Sequence, residues 1–107
     1  MNYTVNLTDT AKQDLRDIAL WIARKAKDNE VAKSFVRELR DECKKLISLP
    51  ERGAFPKDRI LRSAGYRYIV YEDYLIFYLT DNERHIVNIM SIFSAKRDYF
   101  TVMRKYI

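Results

Sequence analysis

The sequence predicts an α+β fold in which a helical hairpin packs on one face of an antiparallel sheet. Apolar residues recur at helical spacing in the first half of the chain, and three segments rich in β-branched and aromatic residues follow in the second half. Helices followed by a run of strands are typical of α+β domains. The predicted order is strand, helix, helix, three strands and a short final helix.

The first strand and the first helix are predicted near the amino terminus. Residues 3–7 alternate apolar and polar side chains, as in a strand with one buried face. Thr8 is expected to cap the following helix, and Asp9 carries a charge that favours the helix start. The apolar stripe of this helix, about five turns long, consists of Ala11, Leu15, Ile18 and Ile22, with Trp21 beside it.

A second helix is predicted after a turn at residues 25–29, where Asp28 or Asn29 would be its cap. Its apolar stripe comprises Ala32, Phe35, Val36, Leu39, Cys43, Leu46 and Ile47. Pro50 is expected to end it, because the residue before a proline disfavours the helical region. Two long helices joined by a short turn form an antiparallel hairpin. Cys43 lies on the apolar stripe and is therefore interpreted as an inert core thiol and not as a nucleophile.

The segment from 50 to 64 holds both prolines and one of the two glycines, so it is predicted to be irregular. Ile60 and Leu61 are expected to form a short strand within it. Lys57, Arg59 and Arg62 would line the edge of the sheet, or alternatively belong to a solvated loop.

Three strands are predicted at residues 66–71, 74–79 and 84–93, separated by short polar breaks. This spacing favours an antiparallel meander. Several strands are apolar on both faces, which indicates that both faces are covered. Residues 96–107 repeat apolar side chains at helical spacing and are expected to cover the second face. Burial of the single Trp and most of the eight Tyr and five Phe would supply the core.

Length and charge place the chain in a broad class. A chain of 107 residues with a net charge of +5 is expected to form one domain over residues 1–107. The charge favours an acidic partner, such as RNA, DNA or an acidic protein, although ordinary solvation explains it equally well. One cysteine excludes an intrachain disulfide and indicates a reducing compartment. With no signal-like segment and no apolar run of membrane-spanning length, we expect a cytoplasmic protein without a membrane partner.

No complete catalytic motif is visible in the sequence. A glycine-rich phosphate loop is missing, and a single histidine excludes templates that need two. We therefore expect no metal and no cofactor, and interpret His85 as exposed or structural. Arg67 opens the first strand of the meander and Arg97 follows the last, so a compact sheet would bring two cations onto one surface, which suits phosphates or carboxylates.

The chain resembles the RelE/ParE superfamily of type II toxins over essentially its whole length. The resemblance rests on the order and spacing of the segments LTDTAKQDLRDIALWIA, LISLPERGAFP, GYRYIVYEDYLIFYLTD and IVNIMSIFSAKRDY. It implies a toxin encoded with a smaller antitoxin whose flexible segment blocks it, with operator DNA bound only through the antitoxin. RelE-like members cleave mRNA in the ribosomal A site, whereas ParE-like members poison DNA gyrase.

The resemblance also implies roles for individual residues. Arg67 and Arg97 match the arginines that stabilise the phosphate in RelE-like toxins, with Lys57, Arg59, Arg62 and Lys96 as further target-binding candidates. The proton-transfer residue of RelE-like toxins falls at about Met103, which cannot transfer a proton, and only Tyr99 and Tyr106 lie nearby. Tyr99 is the catalytic candidate if the chain is RelE-like.

Met103 departs from the RelE-like pattern, and this departure, together with the long helical hairpin, favours the ParE-like branch. The target would then be gyrase, and residues 99–107 would help to bind it. A cognate antitoxin would bury Arg67 or Arg97 under an acidic residue. Two alternatives remain outside toxicity, a plain RNA-binding domain and a degenerate toxin retained as a partner.

Overall fold

The computed structural model describes residues 2–107 and confirms the predicted α+β order, with one additional short helix. The strands are β1 (Thr4–Leu7), β2 (Arg67–Tyr71), β3 (Tyr74–Asp81) and β4 (Ile86–Ser94). The helices are α1 (Asp9–Ala26), α2 (Asn29–Lys44), α3 (Arg59–Ser63) and α4 (Tyr99–Met103). Short 3₁₀ turns follow α2 at Lys45–Ile47 and α4 at Arg104–Tyr106. Among these residues, no helix is long and apolar enough to cross a membrane.

The predicted caps of the helical hairpin are confirmed. The Thr8 hydroxyl accepts a hydrogen bond from the Ala11 amide at 3.1 Å, and the Asp28 carboxylate accepts one from the Glu30 amide at 2.9 Å. Between the two helices, Lys27 adopts a left-handed conformation with φ 54°. This residue ends α1 and reverses the chain into α2, so the hairpin turn is only two residues long.

The four strands form one sheet in the order β1-β4-β3-β2. β2, β3 and β4 form the predicted antiparallel meander. The expectation of a wholly antiparallel sheet is wrong at one edge, because β1 pairs with β4 in parallel. No local turn joins these two strands, and parallel neighbours are always connected by a long crossover. Here the hairpin and the first two strands of the meander form that crossover.

The sheet separates two apolar clusters. The larger one lies under the helical hairpin, where Leu15, Leu39 and Cys43 meet Ile76 and Ile89 from the sheet. The smaller cluster lies on the opposite face. It comprises Leu61, Tyr66, Leu75, Phe77, Phe93 and Met103. The prediction that the carboxyl-terminal segment covers the second face is confirmed by the complete burial of Met103.

Two local expectations are wrong. Ile60 and Leu61 belong to the short helix α3, whose first turn is capped where the Asp58 carboxylate accepts a hydrogen bond from the Leu61 amide at 2.9 Å. Leu61 is buried there, which anchors the helix to the sheet. Trp21 was expected in the core, yet it is 56% exposed because Ile18 and Ile22 supply the inward-facing positions of that part of α1.

Candidate functional site

Arg67 holds the loop that precedes α3. Its Nη1 donates to the backbone carbonyls of Glu51 and Gly53, each at 3.0 Å. The guanidinium carbon lies 4.0 Å from the ring centroid of Phe55, a cation–π contact. The cation that the sequence presents as a phosphate ligand is therefore already engaged by backbone and an aromatic ring.

Tyr78 reinforces the same loop from the neighbouring strand. It is fully buried and lies opposite Arg67 in the β2–β3 ladder. Its hydroxyl donates to the Pro50 carbonyl at 2.8 Å and accepts from the Gly53 amide at 3.0 Å. Burial raises the pKa of the Tyr78 phenol. A Cβ added at Gly53 would lie 2.5 Å from the Tyr78 hydroxyl, so only glycine fits this close approach.

Arg97 lies at the other end of the sheet from Arg67. β2 and β4 are both antiparallel to β3 and therefore run in the same direction. Arg67 begins β2, whereas Arg97 follows the end of β4. The ladder from the Arg67–Tyr78 pair to the Tyr71–Tyr74 pair alone spans about 13 Å. The expectation that the sheet brings the two arginines onto one surface is therefore wrong.

Arg97 is exposed and lines an open cavity of about 340 Å³. Lys96 also lines this cavity, together with Asp14 and Asp17 from α1. The Asp14 carboxylate accepts from the Ser91 hydroxyl and the Ile92 amide, both at 2.9 Å. Asp14 thus fastens α1 to β4, while Arg97 and Lys96 remain accessible to a partner.

The proton-transfer candidates near the carboxyl terminus make contacts that stabilise the fold. The Tyr99 hydroxyl accepts a hydrogen bond from the Asp58 amide at 3.1 Å, and its ring lies 5.7 Å from that of Phe77. The Tyr106 hydroxyl donates to the Met90 carbonyl at 3.1 Å. Met103 is fully buried between them in the smaller cluster. The position matched to a proton-transfer residue is therefore part of the core.

Exposed cations cover the layer formed by α3 and α4. These two short helices share the smaller apolar cluster through Leu61 and Met103, so their outer faces are neighbours. We call their exposed cations the basic layer. It comprises Lys57, Arg59, Arg62, Arg104 and Lys105. Arg104 and Lys105 are not among the candidates predicted from the sequence, although their position directly after Met103 indicates that they face outward.

A second cationic surface lies between α1 and α2 on the outside of the hairpin. This hairpin groove has a volume of about 430 Å³ and an apolar floor of Leu15, Ala19 and Val36. Its walls carry five cations and, within residues 2–107, no carboxylate: Lys12, Arg16, Lys33, Arg37 and Arg40. These cations are not among the candidates predicted from the sequence. Their spacing in the sequence indicates the groove, because Lys12 and Arg16, like Lys33 and Arg37, are four residues apart and therefore share one helix face.

The hairpin groove continues toward the free edge of the sheet. A neighbouring groove of about 470 Å³ shares Arg40 and is lined by Val5 and Leu7 of β1 and by Cys43 and Lys44 of α2. β1 is the last strand of the sheet on this side. The two grooves together therefore offer a helix-sized depression next to an open strand edge.

Cys43 and His85, the other titratable residues considered from the sequence, both pack against neighbouring residues of the fold. The predicted core position of Cys43 is confirmed, because its thiol is buried. Burial raises the pKa of this thiol to about 12, which disfavours the reactive thiolate. His85 adopts a left-handed conformation with φ 58°, and its ring lies 5.0 Å from Tyr3 in an edge-to-face contact. Between residues 2 and 107, no group of three His, Cys, Asp or Glu side chains is placed to hold a metal ion.

Comparison with known proteins places this arrangement in a family. A family model described as the ParE toxin of the type II toxin–antitoxin system parDE matches residues 5–99. The chain belongs to the ParE toxin family. The RelBE2 toxin–antitoxin complex of Mycobacterium tuberculosis is similar to this ParE-family toxin, with 25% identity, a TM-score of 0.60, and coverage of 88% of this chain and 99% of that one.

Two further solved structures share the fold of this ParE-family toxin. The chromosomal ParDE toxin–antitoxin system of Pseudomonas aeruginosa has a TM-score of 0.71 at 18% identity, covering 86% of this chain and 95% of that one. A mutant of the Escherichia coli toxin RelE in the free state has a TM-score of 0.66 at 15% identity, covering 100% and 99% of the two chains. Among curated protein sequences, none matches this ParE-family toxin.

Proposed function

We propose that this ParE-family toxin arrests growth in the cytoplasm by binding and inhibiting DNA gyrase, with residues 1–107 acting as one domain. The observation that carries the proposal is the setting of Met103. Its side chain is fully buried at the position matched to a proton-transfer residue. A toxin that acts by binding needs no such residue, whereas a nuclease that works without a metal does.

The placement of the arginines supports an inhibitor over a nuclease. Cleavage by a 2′-hydroxyl needs fixed cations near the phosphate where charge develops. The Arg67 guanidinium is bound to two carbonyls and Phe55, and Arg97 lies at the opposite end of the sheet. Under the proposal, the two guanidinium groups do not share one phosphate. Under the proposal, Arg67 supports the fold and Arg97, with Lys96, contacts a partner.

The basic layer is the proposed target-binding surface. Lys57, Arg59 and Arg62 are joined there by Arg104 and Lys105, and α3 and α4 share the smaller apolar cluster. Its cations attract an acidic partner surface at long range and orient the encounter. This assignment keeps the expectation that residues 99–107 help to engage the target.

A cognate antitoxin is the proposed regulatory partner. An amphipathic helix fits a groove with an apolar floor, and the five cations of the hairpin groove favour acidic residues along its edges. Operator DNA would be bound only through the antitoxin. An acidic antitoxin residue is expected to pair with Arg97, because the Arg67 guanidinium already has backbone partners.

Charge reversal tests the antitoxin assignment. The double variant Arg37→Glu/Arg40→Glu should weaken binding of the purified antitoxin by at least about 100-fold, since like charges across an interface cost several kcal/mol. Arg104→Glu/Lys105→Glu is the matched control with the same change of net charge on the basic layer. Equal loss in both variants, measured by isothermal titration calorimetry, would contradict docking in the hairpin groove.

Induction of the toxin without its antitoxin tests the target. We expect growth arrest with a DNA damage response, and recovery in cells whose gyrase carries a resistance substitution. A RelE-like ribosome-dependent endoribonuclease is the second candidate, favoured by the matches of Arg67, Arg97 and Tyr99 to that branch. It would instead leave specific mRNA cuts at stalled ribosomes, and normal growth would indicate a degenerate toxin or a plain RNA-binding domain.

A further inference from the structure

A further cleft lies where the hairpin meets the turn between β2 and β3, and its chemistry differs from that of the basic layer and the hairpin groove. It has a volume of about 400 Å³. We call it the aromatic cleft; it is lined by Trp21, Ile22, Phe35, Glu38, Glu72, Asp73 and Tyr74. The cavity of Arg97 shares Trp21 and Tyr74 with this cleft. The other five lining residues enter neither the antitoxin nor the target assignment.

The walls of the aromatic cleft are preorganised rings. Phe35 packs against Tyr74 with ring centroids 5.5 Å apart and against Tyr71 at 5.8 Å. Trp21 stands at the entrance with 56% of its surface exposed. The Lys25 ammonium lies 5.4 Å from the Trp21 ring centroid, so this indole already accepts a cation on its face.

The rim of the aromatic cleft is negative on a chain of net charge +5. None of Glu38, Glu72 and Asp73 forms an ion pair with any residue between 2 and 107. The Glu38 carboxylate accepts the Tyr71 hydroxyl at 2.9 Å. That hydrogen bond, together with the negative charge of Glu38 and Glu72, raises the pKa of Tyr71 to about 12.

We propose that the aromatic cleft binds an arginine side chain presented by a segment of a partner protein. A guanidinium stacks on aromatic faces and pairs with carboxylates through its planar donors, so it satisfies both features of the cleft at once. The other surfaces of the hairpin repel such a segment. The proposal is independent of whether gyrase or the ribosome is the target.

The cleft can be probed directly because Trp21 is the only tryptophan of the chain. N-acetyl-arginine amide is titrated at physiological salt while the tryptophan fluorescence is recorded. N-acetyl-citrulline amide has the same shape without the charge and serves as the control ligand. We expect a saturable change with the arginine derivative and an affinity at least tenfold lower for citrulline. Equal responses to both ligands would overturn the proposal.

Two matched double variants distinguish binding in the cleft from a general effect of net charge. Glu38→Gln/Glu72→Gln removes two rim charges and keeps an acceptor for Tyr71, and should weaken binding at least fivefold. Glu30→Gln/Asp41→Asn changes the net charge equally at positions outside the cleft and should leave binding unchanged. Equal weakening in both would overturn a specific site. A change of oligomeric state in the cleft variant alone, seen by sedimentation, would identify a second copy of the toxin as the occupant and overturn a foreign partner.

Discussion

Arg67 shows how the setting of a single residue decides its role. A guanidinium remains charged at any physiological pH, so its function depends on which acceptors surround it. Two backbone carbonyls accept hydrogen bonds from its Nη1, and the Phe55 ring lies against one of its faces. Arg97 has the same side chain but lies exposed on an open cavity. The first is suited to stabilise a loop, and the second to meet a partner.

Tyr78 should contribute more to stability than any other tyrosine hydroxyl near the sheet edge. Tyr78→Phe leaves the buried Gly53 amide and the Pro50 carbonyl without a partner, which costs about 1 to 3 kcal/mol in the free energy of unfolding. Tyr71→Phe is the matched control, because its hydroxyl bonds to Glu38 at an exposed site. Urea denaturation at neutral pH should show a clear loss of unfolding free energy only for Tyr78→Phe. Equal losses in the two variants would contradict a stabilising role for the hydrogen bonds of the buried Tyr78 hydroxyl.

Cys43 predicts a loss of stability in alkaline solution. The folded state raises the pKa of its thiol from 9.0 to about 12, so above pH 9 the unfolded chain releases a proton that the folded chain keeps. The free energy of unfolding therefore falls as pH rises, approaching about 1.4 kcal/mol per pH unit for this one group. Unfolding is measured by urea between pH 8 and pH 10 for the wild type and for Cys43→Ala. The pKa values of Tyr66, Tyr71, Tyr74 and Tyr78 are also raised, and their contribution is common to both proteins. Cys43→Ala should show a shallower slope, whatever its absolute stability.

At the scale of elements, the loop before α3 depends on contacts from the sheet and has little regular structure of its own. Tyr78 and Arg67 bind its backbone from two adjacent strands, and the pair Ala54–Tyr68 adds one isolated bridge. Exposed Arg52 and Lys57 lie within or beside it. Opening of this loop is therefore expected to depend on the hydrogen bonds from Tyr78 and Arg67, and not on the secondary-structure propensity of the loop residues.

Removal of Arg67 should release this loop. Arg67→Ala loses two hydrogen bonds from a charged donor, so opening becomes easier by about 1 to 2 kcal/mol, a factor of roughly 5 to 30 in the open population. Brief trypsin digestion followed by mass spectrometry should then show faster cleavage after Arg52. Arg97→Ala removes the same side chain at the opposite end and should leave the rate unchanged. An equal rate in wild type and Arg67→Ala would contradict the role of Arg67.

The elements predicted correctly from the sequence are those specified by local patterns. Thr8 and Asp28 cap helices through bonds to amides two or three residues away, and the stripe from Ala11 to Ile22 needs no knowledge of the sheet. α3 was missed because Ile60 and Leu61 form too short an apolar run to show a period. The direction of β1 depends on β4, which lies some 80 residues further along the chain.

The candidate site was less predictable because its contacts are not local. Arg67 and Arg97 were found as a pair from their positions at strand ends, but their separation depends on the relative direction of β2 and β4. The cations of the hairpin groove appeared scattered in the sequence and converge only when α1 packs beside α2. Trp21 belongs to an apolar stretch, and it stays outside the core because Ile18 and Ile22 take the inward-facing positions once α1 packs on the sheet.

On the scale of the whole molecule, charge is segregated over surfaces of different chemistry. The hairpin groove and the basic layer are cationic and lie on opposite sides of the sheet, while the aromatic cleft is rimmed by carboxylates. An antitoxin helix in the hairpin groove would leave the basic layer uncovered. The second antitoxin contact is expected at Arg97, which lines a separate cavity, so antitoxin binding should not depend on the basic layer.

The most direct test of the central claim uses the purified toxin against both targets in parallel. Gyrase supercoiling of a relaxed plasmid is measured beside cleavage of mRNA on programmed ribosomes, at equal toxin concentrations. A ParE-like inhibitor with a buried Met103 should block supercoiling and leave the mRNA intact, and addition of antitoxin should restore supercoiling. Cleavage of mRNA in the ribosomal A site with gyrase unaffected would contradict the account.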